Sequence, residues 1–323
     1  MGTILLATSH GLTVAESSPA GQQNLRLSLE HQHVTSVIAR EGVILAGTRQ
    51  GVFRSTDLGT SWQAASQGLD LPYVRWLSYH PQVSDCEFAG SEPAAIFTSR
   101  DGGLTWRACP EVADMRQQYS WSLPYSPEAG CVRGFAFNGE RAFAAVEDGA
   151  VLVSNDQGQS WALAGGSRGA ADHWPQAGQV HSDVHSIEVH PNDPNLVLAP
   201  TGGGLYLSQD GGDSWDLLYR CYCRAAWMDS ADPAHLVFGP AEGVDRRGQI
   251  LESHDSGKSW QPVVEGLSVP WEHTMVERLA HIDQELFAVL SDGRLYRAHL
   301  PELHWQQAFP TEAGIHAVAI MVD

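Results

Sequence analysis

The stretch Ser55-Thr56-Asp57-Leu58-Gly59-Thr60-Ser61-Trp62 decides the fold, because its pattern Ser-x-Asp-x-Gly-x-Ser/Thr-Trp occurs five times in the chain. The other copies are residues 99–106, 154–161, 208–215 and 253–260, and a shortened sixth copy ends in His304-Trp305. The six tryptophans are 44, 55, 54, 45 and 45 residues apart. Ser, Asp and Gly are common in turns, so one copy would carry little weight. Five copies at a nearly constant period indicate repeats of one supersecondary unit.

Each octapeptide has the chemistry of a tight hairpin turn. Its Asp and Ser side chains can hydrogen-bond to nearby backbone groups, and its Gly can adopt the positive φ that such a turn needs. The Trp at the end then packs between neighbouring sheets. We therefore interpret these residues as structural.

Short strands surround every octapeptide. In the first repeat they cover residues 34–39, 43–47, 52–55 and 62–65, which is the four-stranded antiparallel unit of a propeller blade. Similar innermost strands begin at residues 34, 74, 132, 184, 223, 276 and 315. The sequence therefore predicts an all-β protein, a seven-bladed β-propeller that forms one domain over residues 1–323. Six blades are the alternative, if the last segment is not part of a blade.

The two ends of the chain complement each other. Residues 3–30 contain three strand-like runs with no inner strand before them, and residues 315–322 form an inner strand with nothing after it. We expect them to combine into one blade, because such closure leaves no free sheet edge.

The octapeptides resemble the Asp-box, or BNR, repeats of sialidases, two-domain xyloglucanases, sortilin-type receptors and the photosystem II assembly factor. The resemblance extends over essentially the whole chain, and it implies that these turns lie far from the ligand site. Sialidases hold a substrate carboxylate with an arginine cluster. However, their Arg-Ile-Pro signature is absent from this sequence, and their Tyr/Glu nucleophile pair has no evident counterpart, so a typical sialidase is not expected.

Charge and composition restrict the partners. The chain has 38 acidic and 19 basic residues and a formal net charge of −19, which disfavours nucleic acid and membrane surfaces as partners. Its first residues have neither the charge nor the apolar length of a signal peptide or a membrane span. Five cysteines without zinc-type spacing fit buried thiols in a reducing compartment, so we expect a cytoplasmic protein.

Alternating strands place all octapeptide turns on one face of the propeller, which we call the turn face. The inner strands begin at the opposite face, around the central channel. Their second positions hold Thr35, Arg75, Arg133, His185, Arg224, Glu277 and His316. Three arginines at one opening would form an anion site. The alternative is that they line a water-filled channel or pair with Glu277.

Long links at the opposite face contain aromatic residues beside charged ones. Tyr119, Trp174 and Trp271 are the candidates for contact with a flat polar ligand such as a sugar. The alternative is that these side chains merely cover the loops.

The same face contains candidate groups for catalysis and metal binding. For acid–base chemistry they are His185, His316, Glu277 and Asp183. For a divalent metal they are His181, His185, His273 and His316, although no compact metal motif occurs in the sequence.

The sequence thus predicts a ligand-binding propeller with hydrolase- or lyase-like activity of the glycosidase type. Its substrate would be an anionic small molecule or carbohydrate at the mouth of the channel. The alternative is a non-enzymatic interaction or assembly scaffold whose arginines bind an acidic segment of a partner protein. Fold alone does not choose between them.

Overall fold

Seven four-stranded antiparallel sheets surround a central channel. The structure is a computed structural model that describes residues 2–17, 23–123, 130–169 and 175–321. The seven sheets make a seven-bladed β-propeller, which confirms the predicted architecture and excludes the six-bladed alternative.

The strands follow one another blade by blade. The chain begins with β1 (Thr3–Thr8), β2 (Gly11–Ser17) and β3 (Gln23–Ser28). Blade I is β4 (Val34–Arg40), β5 (Val43–Thr48), β6 (Gly51–Ser55) and β7 (Gln63–Ala64). Blade II is β8 (Val74–Tyr79), β9 (Glu87–Ser91), β10 (Ile96–Ser99) and β11 (Arg107–Ala108), and helix α1 (Pro110–Tyr119) follows it. Blade III is β12 (Cys131–Asn138), β13 (Arg141–Glu147), β14 (Val151–Ser154) and β15 (Ala162–Leu163).

The remaining blades repeat this order. Blade IV is β16 (Glu188–His190), β17 (Asp193–Thr201), β18 (Gly204–Ser208) and β19 (Asp216–Tyr219). Blade V is β20 (Tyr222–Met228), β21 (Leu236–Ala241), β22 (Leu251–Ser253) and β23 (Gln261–Pro262). Blade VI is β24 (Val276–Ile282), β25 (Glu285–Leu290), β26 (Leu295–His299) and β27 (Gln306–Ala308). The last strand is β28 (Ile315–Met321).

Blade VII joins the two ends of the chain. Strand β28 pairs with β1 in antiparallel register, with Leu5 opposite Ala319, and β2 and β3 complete the sheet. The predicted closure is therefore confirmed. It is stabilised by the burial of Leu5, Leu6 and Ile315 against the neighbouring blades.

The five octapeptides form the same hydrogen-bonded turn. In blade I, Asp57 Oδ1 accepts hydrogen bonds from Ser55 Oγ at 2.7 Å and from the Ser61 amide at 2.9 Å. The Gly59 amide donates to Ser55 Oγ at 2.9 Å, and Gly59 has φ +71°, a conformation that favours glycine. The same bonds recur around Asp101, Asp156, Asp210 and Asp255. Local side-chain chemistry thus sets these turns.

The tryptophan that follows each turn joins adjacent blades. Trp106 is 5% exposed, and its Nε1 donates to the Ala65 carbonyl of blade I at 2.8 Å. Trp62 Nε1 donates to Ser28 Oγ of blade VII at 2.6 Å. The ring fills the gap between two sheets. In these two repeats its N–H also finds a partner in the neighbouring blade, whereas the indole N–H groups of Trp161, Trp260 and Trp305 have no hydrogen-bond partner among the described residues.

Helix α1 is an addition to the propeller. It begins at Pro110, whose missing N–H is tolerated in the first turn, and it ends before Ser120, which has a left-handed conformation. In the described part of the chain, no helix is both long and apolar enough to cross a bilayer.

Candidate functional site

β-Bulges explain why the second residue of each inner strand is special. In blade I, Val34 is opposite Thr48 and Ser36 is opposite Gly47, so Thr35 is an extra residue without a partner. The same irregularity occurs at Arg75, Arg133, Arg224, Glu277 and His316. A bulge bends its strand and redirects the extra side chain. The bulges therefore place polar side chains at the channel without disturbing the regular sheet below them.

Blade IV departs from the sequence-based prediction. Its inner strand begins at Glu188 rather than at residue 184, and Val184 makes only an isolated bridge to Thr201. Pro200 on β17 faces this segment and has no N–H to donate to it. His185 still lies in the site, because its amide donates to the Pro200 carbonyl at 3.0 Å.

Glu277 binds two of the three predicted arginines. Arg224 Nη1 donates to Glu277 Oε2 at 2.6 Å, Arg133 Nη2 donates to Glu277 Oε1, and Arg133 Nη1 donates to Glu147 Oε2 at 2.9 Å. Burial alone would raise the pKa of Glu277, but Arg133 and Arg224 hold it far below its usual value. Glu277 is therefore a fixed carboxylate, and pairing with Glu277 is the arrangement found.

The Arg133–Glu277 pair crosses the channel. The inner strands follow one another around the ring in the order β4, β8, β12, β16, β20, β24 and β28. Strands β12 and β24 therefore lie on opposite sides, and the ion pair between them spans the axis. We call the ion-paired side chains of Arg133, Arg224, Glu277 and Glu147 the charged layer.

Arg75 lies apart from Glu277. Its Nη1 donates to Tyr73 Oη at 2.6 Å and lies 3.3 Å from Glu92 Oε2. Of the three arginines predicted to bind an anion, Arg133 and Arg224 thus bind the carboxylate of Glu277. Arg75 lies beside the carboxylate of Glu92 instead.

His185 is 1% exposed and has both ring nitrogens engaged. Its Nδ1 lies 2.9 Å from the Cys223 carbonyl, which can only accept, so Nδ1 carries a proton. Its Nε2 lies 3.0 Å from Asp183 Oδ1 and 3.4 Å from Tyr222 Oη. Burial would raise the pKa of Asp183, but His185 lowers it below its ordinary value. Both ring nitrogens are thus occupied, so neither is free to act as a general base.

His316 stacks on His33, with ring centroids 4.7 Å apart. Burial, with His33 and Arg278 nearby, lowers the pKa of His316 to about 4, so the ring is neutral at physiological pH. Its Nε2 has no hydrogen-bond partner among the described residues.

Asp148 is a titratable group that sequence reasoning missed. Burial raises its pKa to about 6, and Asp183 and Glu147 contribute to this. The sequence signal is the pair Glu147-Asp148 at the end of β13, beside the start of the inner strand β12. Carboxyl groups with separated pKa values are the arrangement that acid–base catalysis uses.

The four histidines proposed as metal ligands do not form one cluster. His181 Nδ1 accepts from the Asp183 amide at 3.2 Å, whereas His273 is exposed and His316 stacks on His33. Two other groups of described residues have ligand atoms within 4.8 Å of one another. They are Glu147, Asp183 and His185 in the channel, and His235, Glu252 and His254 on the turn face.

The predicted aromatic contacts are mostly packing residues. Tyr119 at the end of α1 packs against the apolar core between blades II and III. Trp271 is 6% exposed and packs in the core of blades V and VI beside Tyr296. Trp174 lies outside the described residues. Tyr119 and Trp271 therefore act as packing side chains, in line with the non-functional alternative given in the sequence analysis.

A cavity of about 840 Å³ occupies the channel. Its inner end is formed by Arg133, Arg224, Glu277 and Arg278. Its outer end is lined by the exposed residues Tyr79, Pro81, His281 and Asp283, which lie at or just beyond the ends of the inner strands. The cavity therefore opens on the turn face, whereas we expected the site at the opposite face. The Arg133–Glu277 pair crosses the channel at its inner end.

Arg278 is the second residue that sequence reasoning missed. Its guanidinium carbon lies 3.7 Å from the ring centre of Trp76 on the far side of the channel. Among the described residues, no carboxylate lies within salt-bridge distance of it. Burial, followed by the neighbouring Arg133, lowers the pKa of Arg278 to about 9. Arg278 therefore remains charged at neutral pH and its charge is not neutralised.

Comparisons with known proteins show the fold. No protein-family model and no curated protein sequence matches the chain. An ancestral GH74 enzyme has a TM-score of 0.63 and 15% identity over 98% of this chain and 39% of its own length. The GH74 xyloglucanase from Xanthomonas campestris has a TM-score of 0.61 and 17% identity over 86% of this chain and 45% of its own.

A third similar structure has the length of this chain. YCF48 from Cyanidioschyzon merolae has a TM-score of 0.62 and 15% identity, covering 92% of this chain and 95% of its own. The chain thus spans less than half of the two GH74 enzymes and nearly all of YCF48. At such identities the likeness concerns the propeller fold alone.

Proposed function

We propose that this protein binds an anionic small molecule in the central channel, with Arg278 as the residue that holds the anion. The observation that carries the proposal is the unneutralised guanidinium at the inner end of an 840 Å³ cavity. Arg133 and Arg224 are already bound to Glu277, so Arg278 is the cation that gains most from an incoming carboxylate or phosphate.

Hydrolytic chemistry is a second candidate, and Asp148 is the observation that favours it. At neutral pH a carboxyl group with a pKa of about 6 exchanges protons more readily than the fixed carboxylates of Glu277 or Asp183. A panel of chromogenic glycosides tests this candidate. Turnover that disappears in Asp148→Asn, while the fold is retained, would support it, and equal turnover in the variant would exclude Asp148 from the chemistry.

Similar propellers include both enzymes and a peptide-binding protein. Besides the GH74 enzymes, YCF48 has been seen bound to a D1 peptide, with a TM-score of 0.60 and 17% identity to this chain. A peptide carboxylate would bind Arg278 in the same way as a small acid, so the Arg278→Met variant also tests a scaffold function.

We further infer a divergent Asp-box propeller, supported by the five identical turns, and a cytoplasmic protein, supported by five free thiols.

Benzoate and inorganic phosphate are the first probes. Either should raise the melting temperature of the wild type, since a ligand that binds only the folded state stabilises it. Arg278→Met should weaken binding at least about tenfold, because a hydrogen bond to a charged group contributes about 1.5–3 kcal/mol. The variant should remain folded, since the charge it removes has no carboxylate partner among the described residues, although it loses the cation–π contact with Trp76 that joins blades VI and II.

Arg294→Met is the matched control, because Arg294 is an exposed arginine of blade VI paired with Asp292 at 2.8 Å. It should bind both probes like the wild type. The proposal fails if neither anion binds at millimolar concentration, or if Arg278→Met binds as tightly as Arg294→Met.

A further inference from the structure

The cavity is polar at its inner end and apolar along its walls. Below the charged layer, its lining includes the half-buried Leu279 and Ile320 and the mostly buried Phe135, Ile187, Trp227 and Val318, with the polar side chains of Ser78 and Ser186 between them. A pocket lined by aromatic and aliphatic side chains favours an apolar ligand body, and its few polar groups set the ligand's orientation.

One acid interrupts the apolar wall. Glu188 on β16 lines the cavity, and its Oε2 accepts a hydrogen bond from the Met228 amide at 3.0 Å. Among the described residues, Oε1 has no hydrogen-bond partner. Burial raises the pKa of Glu188 to about 8, so the group is a neutral carboxylic acid at pH 7. Such an acid can donate a hydrogen bond to a ligand oxygen.

Arg278 and Glu188 lie at different depths. Arg278 follows the bulge residue Glu277 by one position, and Glu188 follows the equivalent His185 by three. Two further residues of strand correspond to about 7 Å along the channel. Arg278 therefore starts nearer the charged layer and Glu188 nearer the turn face, so a ligand that reaches both has its anionic end inward and a second oxygen outward.

We propose that the ligand is an amphipathic carboxylate, an inference that rests on the proposed function. Its carboxylate binds Arg278, its aliphatic or aromatic body fills the apolar wall, and a hydroxyl or carbonyl oxygen near its middle accepts a hydrogen bond from Glu188. The cavity volume of about 840 Å³ lies within the roughly 300–1,000 Å³ of small-molecule sites.

Three probes of similar length separate the two parts of this ligand. Octanoate has the charge and the apolar body, gluconate has the charge without the apolar body, and octanol has the apolar body without the charge. Titrations followed by tryptophan fluorescence are suitable, because Trp76 and Trp227 line the cavity. Octanoate should bind at least about tenfold more tightly than either of the other two. In Arg278→Met, octanoate and octanol should bind equally.

Glu188 is tested with hexanoate and 6-hydroxyhexanoate. The wild type should prefer the hydroxy acid, and Glu188→Leu should reverse the preference while it retains octanoate binding. Glu30→Gln, a change in an exposed acid outside the cavity, should leave both affinities unchanged. A preference for the hydroxy acid that persists in Glu188→Leu would contradict the assignment of Glu188.

The outcomes separate this inference from the proposed function. If gluconate binds as tightly as octanoate and both depend on Arg278, the anion site stands and the amphipathic ligand is wrong. If octanol equals octanoate in the wild type, the cavity is a non-specific apolar site and both ideas fail. If none of the acids binds, both also fail.

Discussion

At the scale of single residues, the channel contains two kinds of titratable group. Arg133, Arg224 and Glu277 satisfy one another, as buried charges must in order to be tolerated. Arg278 and Glu188 lack such partners among the described residues, and their pKa values shift to about 9 and about 8, mainly through burial. Perturbed groups outside a structural ion-pair network mark a functional site better than groups inside one.

Glu188 predicts a pH-dependent stability. Burial raises its pKa from 4.5 to about 8, so the native state keeps a proton that the unfolded state releases. The free energy of unfolding is therefore highest below pH 4.5, falls as the pH rises to about 8, and is level above it. Glu188→Gln has no carboxyl group to titrate, so its free energy of unfolding should not fall in this way. At pH 8 it should exceed that of the wild type by roughly 2 kcal/mol or more.

Urea unfolding of both proteins at pH 5 and pH 8 measures this difference. The exposed Glu41→Gln provides the reference for a solvated acid. Parallel pH profiles for the wild type and Glu188→Gln would show that Glu188 does not keep its proton in the native state.

At the scale of elements, two local devices recur around the ring. The Ser-x-Asp turn sets each outer hairpin through its own side chains. The bulge at the start of the inner strands places one extra side chain per strand at the channel. The turn has a sequence signature, whereas the bulge residue can be any of Thr, Arg, Glu or His.

Equivalent turn glycines should differ in their tolerance of alanine. Gly59 and Gly158 occupy the same turn position, with φ +71° and +76°, so alanine pays a conformational cost of about 1–2 kcal/mol at either. A Cβ at Gly158 would overlap the buried ring of Phe88, whereas at Gly59 it would lie 3.3 Å from Trp62. Gly158→Ala should therefore lose about 1–3 kcal/mol more than Gly59→Ala.

Thermal or urea unfolding of the two variants measures the difference, and both share the same backbone penalty. Equal destabilisation would mean that the neighbouring blade yields to the added methyl group and that the blades pack more loosely than described.

At the scale of the whole molecule, contacts across the channel connect blades that are not neighbours. Arg133 and Glu277 join blades III and VI, and Arg278 and Trp76 join blades VI and II. The pairing of β28 with β1 closes the ring. The cross-channel contacts of Arg133 with Glu277 and of Arg278 with Trp76 add links between blades on opposite sides.

Glu277→Gln should weaken the whole ring. Removal of one partner from a buried ion pair leaves the other charge uncompensated, which costs of the order of 3 kcal/mol. The exposed pair of Arg40 and Glu41, 3.2 Å apart, provides the control, since Glu41→Gln should change stability by less than about 1 kcal/mol. Urea unfolding measures both, and an equal effect of the two variants would mean that the cross-channel pair does not stabilise the ring.

The candidate site was only partly predictable from the sequence. The inner-strand positions of Arg133, Arg224 and Glu277 could be aligned because the blades repeat, but whether the arginines bind a ligand or Glu277 depends on distances across the ring. Arg278 and Glu188 carry no local signal, since alternation along a strand does not show which side chains reach the channel. The late start of β16 depends on how residues 184–187 meet β17, which a single-strand pattern does not reveal.

The sequence by itself determined the seven blades, their four strands and the closure of the ring, because turn chemistry and strand periodicity are local and repeat at a constant period. The tertiary structure alone decided which charges neutralise one another, which face the cavity opens to and which arginine remains for a ligand. Those properties depend on side chains more than a hundred residues apart, such as Arg133 and Glu277. They become neighbours only when the ring closes.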